Sequence, residues 1–226
     1  MVHGCLRLDK MTQKITSLKA QKRSAQRINV HLDGEFAFGI SRIVAAWIEV
    51  GQELSPEEIK ELQEKDSAEK SYQRALNFLS YRPRSEAEVI RNLRKHETPE
   101  GQIEETVERL LKNNLVNDQD FAQLWVENRS EFRPRGAYAL RIELRQKGLS
   151  DDIIDPVLND LKEEELAYKA ALQRGNKLIN YEWHDFRKKL SGFLARRGFS
   201  YQIIFDTVSK VWEELGTAIE SKEVLK

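Results

Sequence analysis

Polar and apolar residues alternate with period two near the start of the chain. Ile28, Val30 and Leu32 interleave with Arg27, Asn29 and His31, and after Asp33-Gly34 Phe36, Phe38 and Ile40 interleave with Glu35, Ala37 and Gly39. Two such runs joined by Asp-Gly predict a β-hairpin, because a type I′ turn needs positive φ at both central residues. Ile15 to Ala20 offers a third strand. A lone hairpin is marginal in water, so this module needs cover, and the first helical repeat after it is the expected source. Ser55-Pro56-Glu57-Glu58 then opens a helix, with Ser55 as N-cap, Pro56 at the first helical position and Glu58 completing a capping box. From there to the end the apolar period is helical. Further starts fall at Ser85 with Glu88, Thr98 with Pro99, Asn117 or Asp118, Ser150 with Asp151, and Ser200.

The helical part repeats itself. Arg82-Pro83-Arg84 recurs 51 residues on as Arg133-Pro134-Arg135. The same shift carries Val89, Leu93, Ile103, Val107 and Leu110 onto Leu140, Leu144, Ile154, Leu158 and Leu161. A further shift of 50 carries them onto Leu190, Leu194, Ile204, Val208 and Val211, and Lys147-Gly148 onto Arg197-Gly198. Five apolar positions held in one register through three copies mark an internal repeat. Each copy predicts three helices: 67–81, 86–96 and 99–114, then 118–132, 136–147 and 151–162, then 163–178, 183–197 and 201–215. The middle helix places its apolar pair at i and i+4, on one face. Gly148 and Gly198 stand where a helix stops in the left-handed conformation. Short helix, tight turn, short helix is helix-turn-helix geometry, and modules this small gain core by stacking in tandem.

Composition narrows the function. The 226 residues carry 37 Lys plus Arg and 37 Asp plus Glu, a net charge of zero, which excludes a protein that coats nucleic acid by bulk charge. The charge is nevertheless uneven: residues 1–52 have 8 basic and 4 acidic side chains, and residues 53–70 have 3 and 7. That acidic stretch is expected to be a solvated linker helix. The longest apolar run, Ile43 to Ile48, is far short of a membrane span, and no secretory signal is evident. Cys5 is the only cysteine, so no internal disulfide or cysteine-based zinc site is expected, and a reducing cytoplasm is the default location. Met1 and Met11 are both candidate translation starts, and the pattern leaves the choice open, Met11 lying where the patterned sequence begins. No phosphate-binding Gly-rich loop, nucleophile elbow or zinc-protease motif is present, so neither catalysis nor a cofactor or metal is expected.

The sequence resembles the RecX family of bacterial recombination regulators. The resemblance rests on Ala75-Leu76 and Leu79, Arg82-x-Arg84-Ser85-Glu86-x-Glu88, and Leu93. It continues through Leu115-x-Asn117-Asp118-x-x-Phe121-Ala122 with Trp125, then Pro134-x-Gly136 and Leu144-x-x-Lys147-Gly148-Leu149. The match is close over 67–161 and looser over 162–215, where the Arg-Pro-Arg entry is missing. The hairpin with Leu32-Asp33-Gly34-Glu35 resembles the extension of some members. The resemblance implies three tandem three-helix repeats and a protein that binds the RecA–DNA filament and restrains ATP hydrolysis and strand exchange, acting in recombination, DNA repair and the SOS response.

Basic residues flank the middle helices and form the candidate partner-binding set: Arg82, Arg84 and Arg94; Arg133, Arg135, Arg141, Arg145 and Lys147; Arg187, Lys188, Arg196 and Arg197. Arginine forks match phosphate and carboxylate, although exposed charges are also ordinary on helix surfaces. Arg141 stands where the first copy has Ile90, which points either to a partner or to a rotated helix. The aromatics Phe78, Tyr81, Phe121, Trp125, Phe132 and Tyr138 are expected in the core.

The resulting expectation is a mainly α chain: a tail (1–11), a β-hairpin module with an acidic linker helix (12–66), and repeats at 67–115, 116–161 and 162–226, the last with a C-terminal tail. With each 15-residue helix ~22 Å long, three stacked modules would make a curved, elongated body of ~70 Å. The expected partner is the RecA filament, with contact to single-stranded or duplex DNA backbone left open, no membrane, and a monomer. The alternative is a direct DNA-binding protein with tandem helix-turn-helix modules.

Overall fold

The computed structural model describes residues 12–22 and 24–224, with side chains described as far as Gly216. The expected tail (1–11) and both candidate start methionines lie outside the described residues. The chain divides into two compact units, one of residues up to 82 with 90–113 and one of 83–89 with 114 onward.

The first unit opens with strands β1 (Gln13–Gln21), β2 (Ser24–Leu32) and β3 (Glu35–Ser41), a short helix α1 (Arg42–Ala45) and a two-residue strand β4 (Glu53–Leu54). The sheet order is β3-β2-β1-β4, with antiparallel pairs throughout. The Asp33-Gly34 turn has φ of 49° and 93° at its two central residues, as the type I′ geometry demands. Alternation puts Ile15, Val30, Leu32 and Ile40 on one buried face, closed by Val44, Ile48, Leu54 and Leu62.

Helix α2 (Pro56–Leu79) runs unbroken through the point where a linker was expected to give way to the first repeat. Its capping box forms as the sequence predicts: Glu58 N donates to Ser55 Oγ at 3.2 Å and Ser55 N to Glu58 Oε2 at 2.7 Å. The acidic stretch is not simply solvated, because Asp66 is only 2% exposed. Its carboxylate accepts from Arg27 Nη1 at 2.9 Å and from Ser41 N at 2.6 Å, and pairs with Lys70 at 2.7 Å. A buried carboxylate persists only with such partners, and these tie β2 and β3 to α2. Glu69 likewise meets Arg109 of α4 (Glu100–Lys112) at 2.8 Å, with that guanidinium 3.6 Å from the Tyr72 ring centre. Helix α3 (Glu86–Lys95) spans both units.

In the second unit, α5 (Asp118–Phe132), α6 (Ala137–Lys147) and α7 (Asp151–Asn159) form one repeat, and α8 (Glu163–Gly175), α9 (Trp183–Ala195) and α10 (Tyr201–Val224) the next. Each has its own core, built on Phe121, Leu140, Leu144 and Ile154 in one and on Phe186, Leu190, Leu194 and Val211 in the other. Of the fifteen repeated apolar positions only Leu161 is not buried. Helix α7, which contains Pro156, stops at Asn159, so Leu161 lies beyond its last turn. All three copies end the middle helix alike: the amides of Thr98, Leu149 and Phe199 donate to the carbonyls of Leu93, Leu144 and Leu194. These are the six-to-one bonds of a Schellman motif, which needs a left-handed residue just before the donor. That residue is Gly148 (φ 93°), Gly198 (φ 83°) and, in the first copy, Glu97 (φ 57°).

Candidate functional site

The predicted basic set falls into two classes. The first is engaged within the fold. Arg94 Nε and Nη2 donate to Glu100 at 2.8 and 3.0 Å, and Arg145 Nε and Nη2 donate to Asp151 at 2.9 and 2.8 Å. The pair is the same device one repeat apart, an arginine late in the second helix bonded to an acid at the N-terminus of the third, where negative charge is favoured. The hydrogen-bonded arginine holds Asp151 and Glu100 below the usual carboxylate range. Arg141 bonds Asp155, so its appearance at an apolar repeat position has an internal explanation.

Lys147 and Arg197 belong to joints within the second unit. Ser85 Oγ accepts from Glu88 N at 3.2 Å and donates to the Lys147 carbonyl at 2.7 Å, while Lys147 Nζ reaches Glu88 at 2.8 Å. One repeat later, Gly136 N donates to the Arg197 carbonyl at 2.9 Å and Arg197 Nη1 to the Pro134 carbonyl at 3.0 Å. At each joint the start of one middle helix lies against the glycine that ends the next. A Cβ on Gly148 would sit 2.3 Å from Ala87 Cβ, and one on Gly198 would sit 2.6 Å from Ala139 N. These glycines are therefore required twice, by φ and by close approach.

Beside the second joint lies an open groove of about 550 Å³ between α6 and the end of α9. Arg129, Arg135, Lys147 and Arg196 line it, with Trp125 and Tyr138 among them. Glu143 is its one acid and orders the floor. It accepts from Trp125 Nε1 at 2.8 Å and Arg129 Nε at 2.7 Å, and pairs with Arg135 Nη1 at 2.8 Å. Arg129 Cζ and Lys147 Nζ stand 4.5 and 4.8 Å from the Trp125 ring centre, within cation–π range. Burial first, then the like charges of Arg133 and Arg135, pull the Arg197 guanidinium below its usual pKa. Cations gathered against mutual repulsion around an ordered indole make a surface suited to phosphate or carboxylate.

Of the predicted residues, the groove brings together Arg135, Lys147 and Arg196. Arg133, Arg187, Lys188 and Arg196 are exposed and make no ion pair among the described residues, and Arg82 and Arg84 are half-buried. Arg129 and Glu143 were not in the predicted set. The signal for Arg129 was its place one helical turn after Trp125. The aromatic expectation needs correcting: Tyr81, Phe132 and Tyr138 are 84%, 78% and 70% exposed. They stand at helix ends beside the Arg-Pro-Arg corners, where the chain leaves the apolar stripe, whereas Phe121 lies mid-face and is buried.

The chain is 34% identical to regulatory protein RecX of Bacillus subtilis (strain 168) over 220 residues, which cover 94% of this chain and 82% of that one. This chain belongs to the RecX family. A RecX of Leuconostoc mesenteroides is 31% identical over 94% of this chain and 81% of its own. Family models match the sequence in four segments: the RecX N-terminal domain matches 13–55, and the first, second and third RecX three-helix domains match 72–110, 117–158 and 162–208. A crystal structure of regulatory protein RecX superposes with a TM-score of 0.71 at 29% identity, covering 88% of this chain and 99% of that one. That of RecX from Lactobacillus salivarius superposes with 0.59 at 28%, covering 66% and 98%. RecX is thus a regulatory-protein family of tandem three-helix domains. No helix among the described residues is long and apolar enough to cross a membrane.

Proposed function

We propose that this chain is a cytoplasmic, monomeric regulator that binds the RecA–DNA filament and restrains its ATP hydrolysis and strand exchange. The observation that carries this reading is a net-positive, aromatic-floored groove on a RecX-family chain of zero overall charge. A neutral chain gains little from bare DNA through bulk charge, while a local basic face adds phosphate or carboxylate contacts once a protein surface positions it. The chain acts by binding, without cofactor or metal. Among the predicted residues, Arg133, Arg187, Lys188 and Arg196 are the ones we assign to the partner, Arg135, Arg141, Arg145, Lys147 and Arg197 belong to the same unit, and Arg82, Arg84 and Arg94 remain in the proposed set.

The test is the ATPase rate of RecA on single-stranded DNA during titration with this protein. A fall well below one molecule per RecA is expected, and it should weaken when Arg133 and Arg196 are both changed to Glu. No effect at several-fold excess would overturn the reading. Tight duplex binding with a steep salt slope would favour direct DNA recognition instead.

A further inference from the structure

The acid–arginine pair that joins the second and third helices in the first two repeats is missing from the third. The repeat register puts Ala195 where Arg145 stands, Tyr201 for Asp151, Ser191 for Arg141 and Phe205 for Asp155. In place of ion pairs, α9 and α10 leave an open groove of about 470 Å³. Its floor is the buried pair Ile204 and Val208, and one wall is low because Ser191, Gly192 and Ala195 are small. The other wall is Tyr201 and Phe205, which are 82% and 54% exposed. Arg187 and Lys188, two turns before Ala195, line the far end, and no carboxylate lines the groove among the described residues.

We propose that this groove docks an amphipathic helical peptide of a protein partner, with apolar side chains along one face and carboxylates at one end. The low wall admits a helix, the aliphatic floor takes side chains spaced i and i+4, and the two unpaired cations meet the acidic end. Cations at one end only do not make the track along both sides that a nucleic-acid backbone needs.

The test uses the full chain against a displayed library of 14-residue helical peptides, apolar on one face and either acidic or basic at the flanks. Acidic-flanked peptides should enrich over basic-flanked ones. Ala195→Arg with Tyr201→Asp, which writes the second repeat's pair into the third, should weaken the selected peptide by about tenfold or more with an unchanged melting temperature. Arg187→Glu with Lys188→Glu, at exposed positions that do not threaten folding, should switch the flank preference to basic. No enrichment, enrichment indifferent to flank charge, or binding that survives both double variants would overturn the proposal. So would loss of oligothymidylate binding in the Ala195/Tyr201 variant with peptide binding intact.

Discussion

Gly148→Ala tests the joint directly. Gly148 has φ 93° and ψ 14°, and an L side chain in the left-handed region costs about 1–2 kcal/mol. The new methyl would lie 2.3 Å from Ala87 Cβ, well inside the ~3.5–4.0 Å at which carbon atoms rest, so one of the two elements must move. Such overpacking costs about 1–3 kcal/mol, for a total of about 2–5 kcal/mol. Adding Ala87→Gly removes the opposing methyl and should restore most of the steric part, leaving the φ cost and up to about 1 kcal/mol for a glycine in α3. At Gly198 the methyl would meet Ala139 Cβ at 2.5 Å but also backbone, Ala139 N at 2.6 Å and Cα at 3.1 Å, so trimming Ala139 leaves the backbone clash and should rescue clearly less. Urea unfolding of the full chain, followed by far-ultraviolet circular dichroism and tryptophan fluorescence, measures each loss, and the double-mutant cycle isolates the contact. A loss below about 0.5 kcal/mol for Gly148→Ala, or equal rescue at both joints, would refute this account.

Glu143→Ala should leave Arg129 and Arg135 without their shared acceptor. Losing a partner of a buried pair costs about 3–5 kcal/mol, and with the two guanidiniums about a quarter exposed the expected loss is about 1–3 kcal/mol, with altered Trp125 fluorescence. An unchanged unfolding midpoint would contradict the assigned role. Asp118 accepts from Glu86 N at 2.8 Å, but burial outweighs that bond and, with the charge of Glu88, raises its pKa. The native state therefore binds this proton more tightly than the unfolded chain, and stability falls as pH rises from the ordinary aspartate value through the raised one. Asp118→Asn keeps the acceptor without the charge, so it should equal or exceed the parent at neutral pH and lose that advantage in acid. Urea midpoints across the acid range would show it, and a variant weaker at neutral pH would contradict it.

Much of the architecture was legible because it is written locally or repeated. Asp33-Gly34 names its turn, Ser55 and Glu58 name their helix start, and five apolar positions in three copies name the repeat and the buried faces. What could not be read depends on neighbours distant in sequence. Asp66 looked like part of a solvated acidic run because Arg27 and Ser41, which bury it, come from strands 39 and 25 residues earlier. The ties of Lys147 to Glu88 and Ser85 are equally hidden from the pattern, because those residues lie about 60 positions before it. Periodicity tells which face an aromatic occupies but not where that face stops, so it predicts a core position for Phe132, the last residue of α5. The groove depends on distant neighbours too, since its order rests on Glu143 of α6 gathering groups from α5 and a corner.

The joints also encode the order of the copies. Each needs a small entry residue, Ser85 or Gly136, and a glycine exit, Gly148 or Gly198. The first copy keeps an entry, but its exit carries Glu97, an exposed left-handed residue with a side chain where the other two exits have glycine. The third keeps an exit but has Phe186 at the entry position, fully buried and packed 4.9 Å from the Trp212 ring. Sequence degeneration at the two ends thus acts as punctuation. A chain re-spliced as second, first, third would offer Gly136 a side chain where it needs bare backbone, and the array would fail to zip at its first seam.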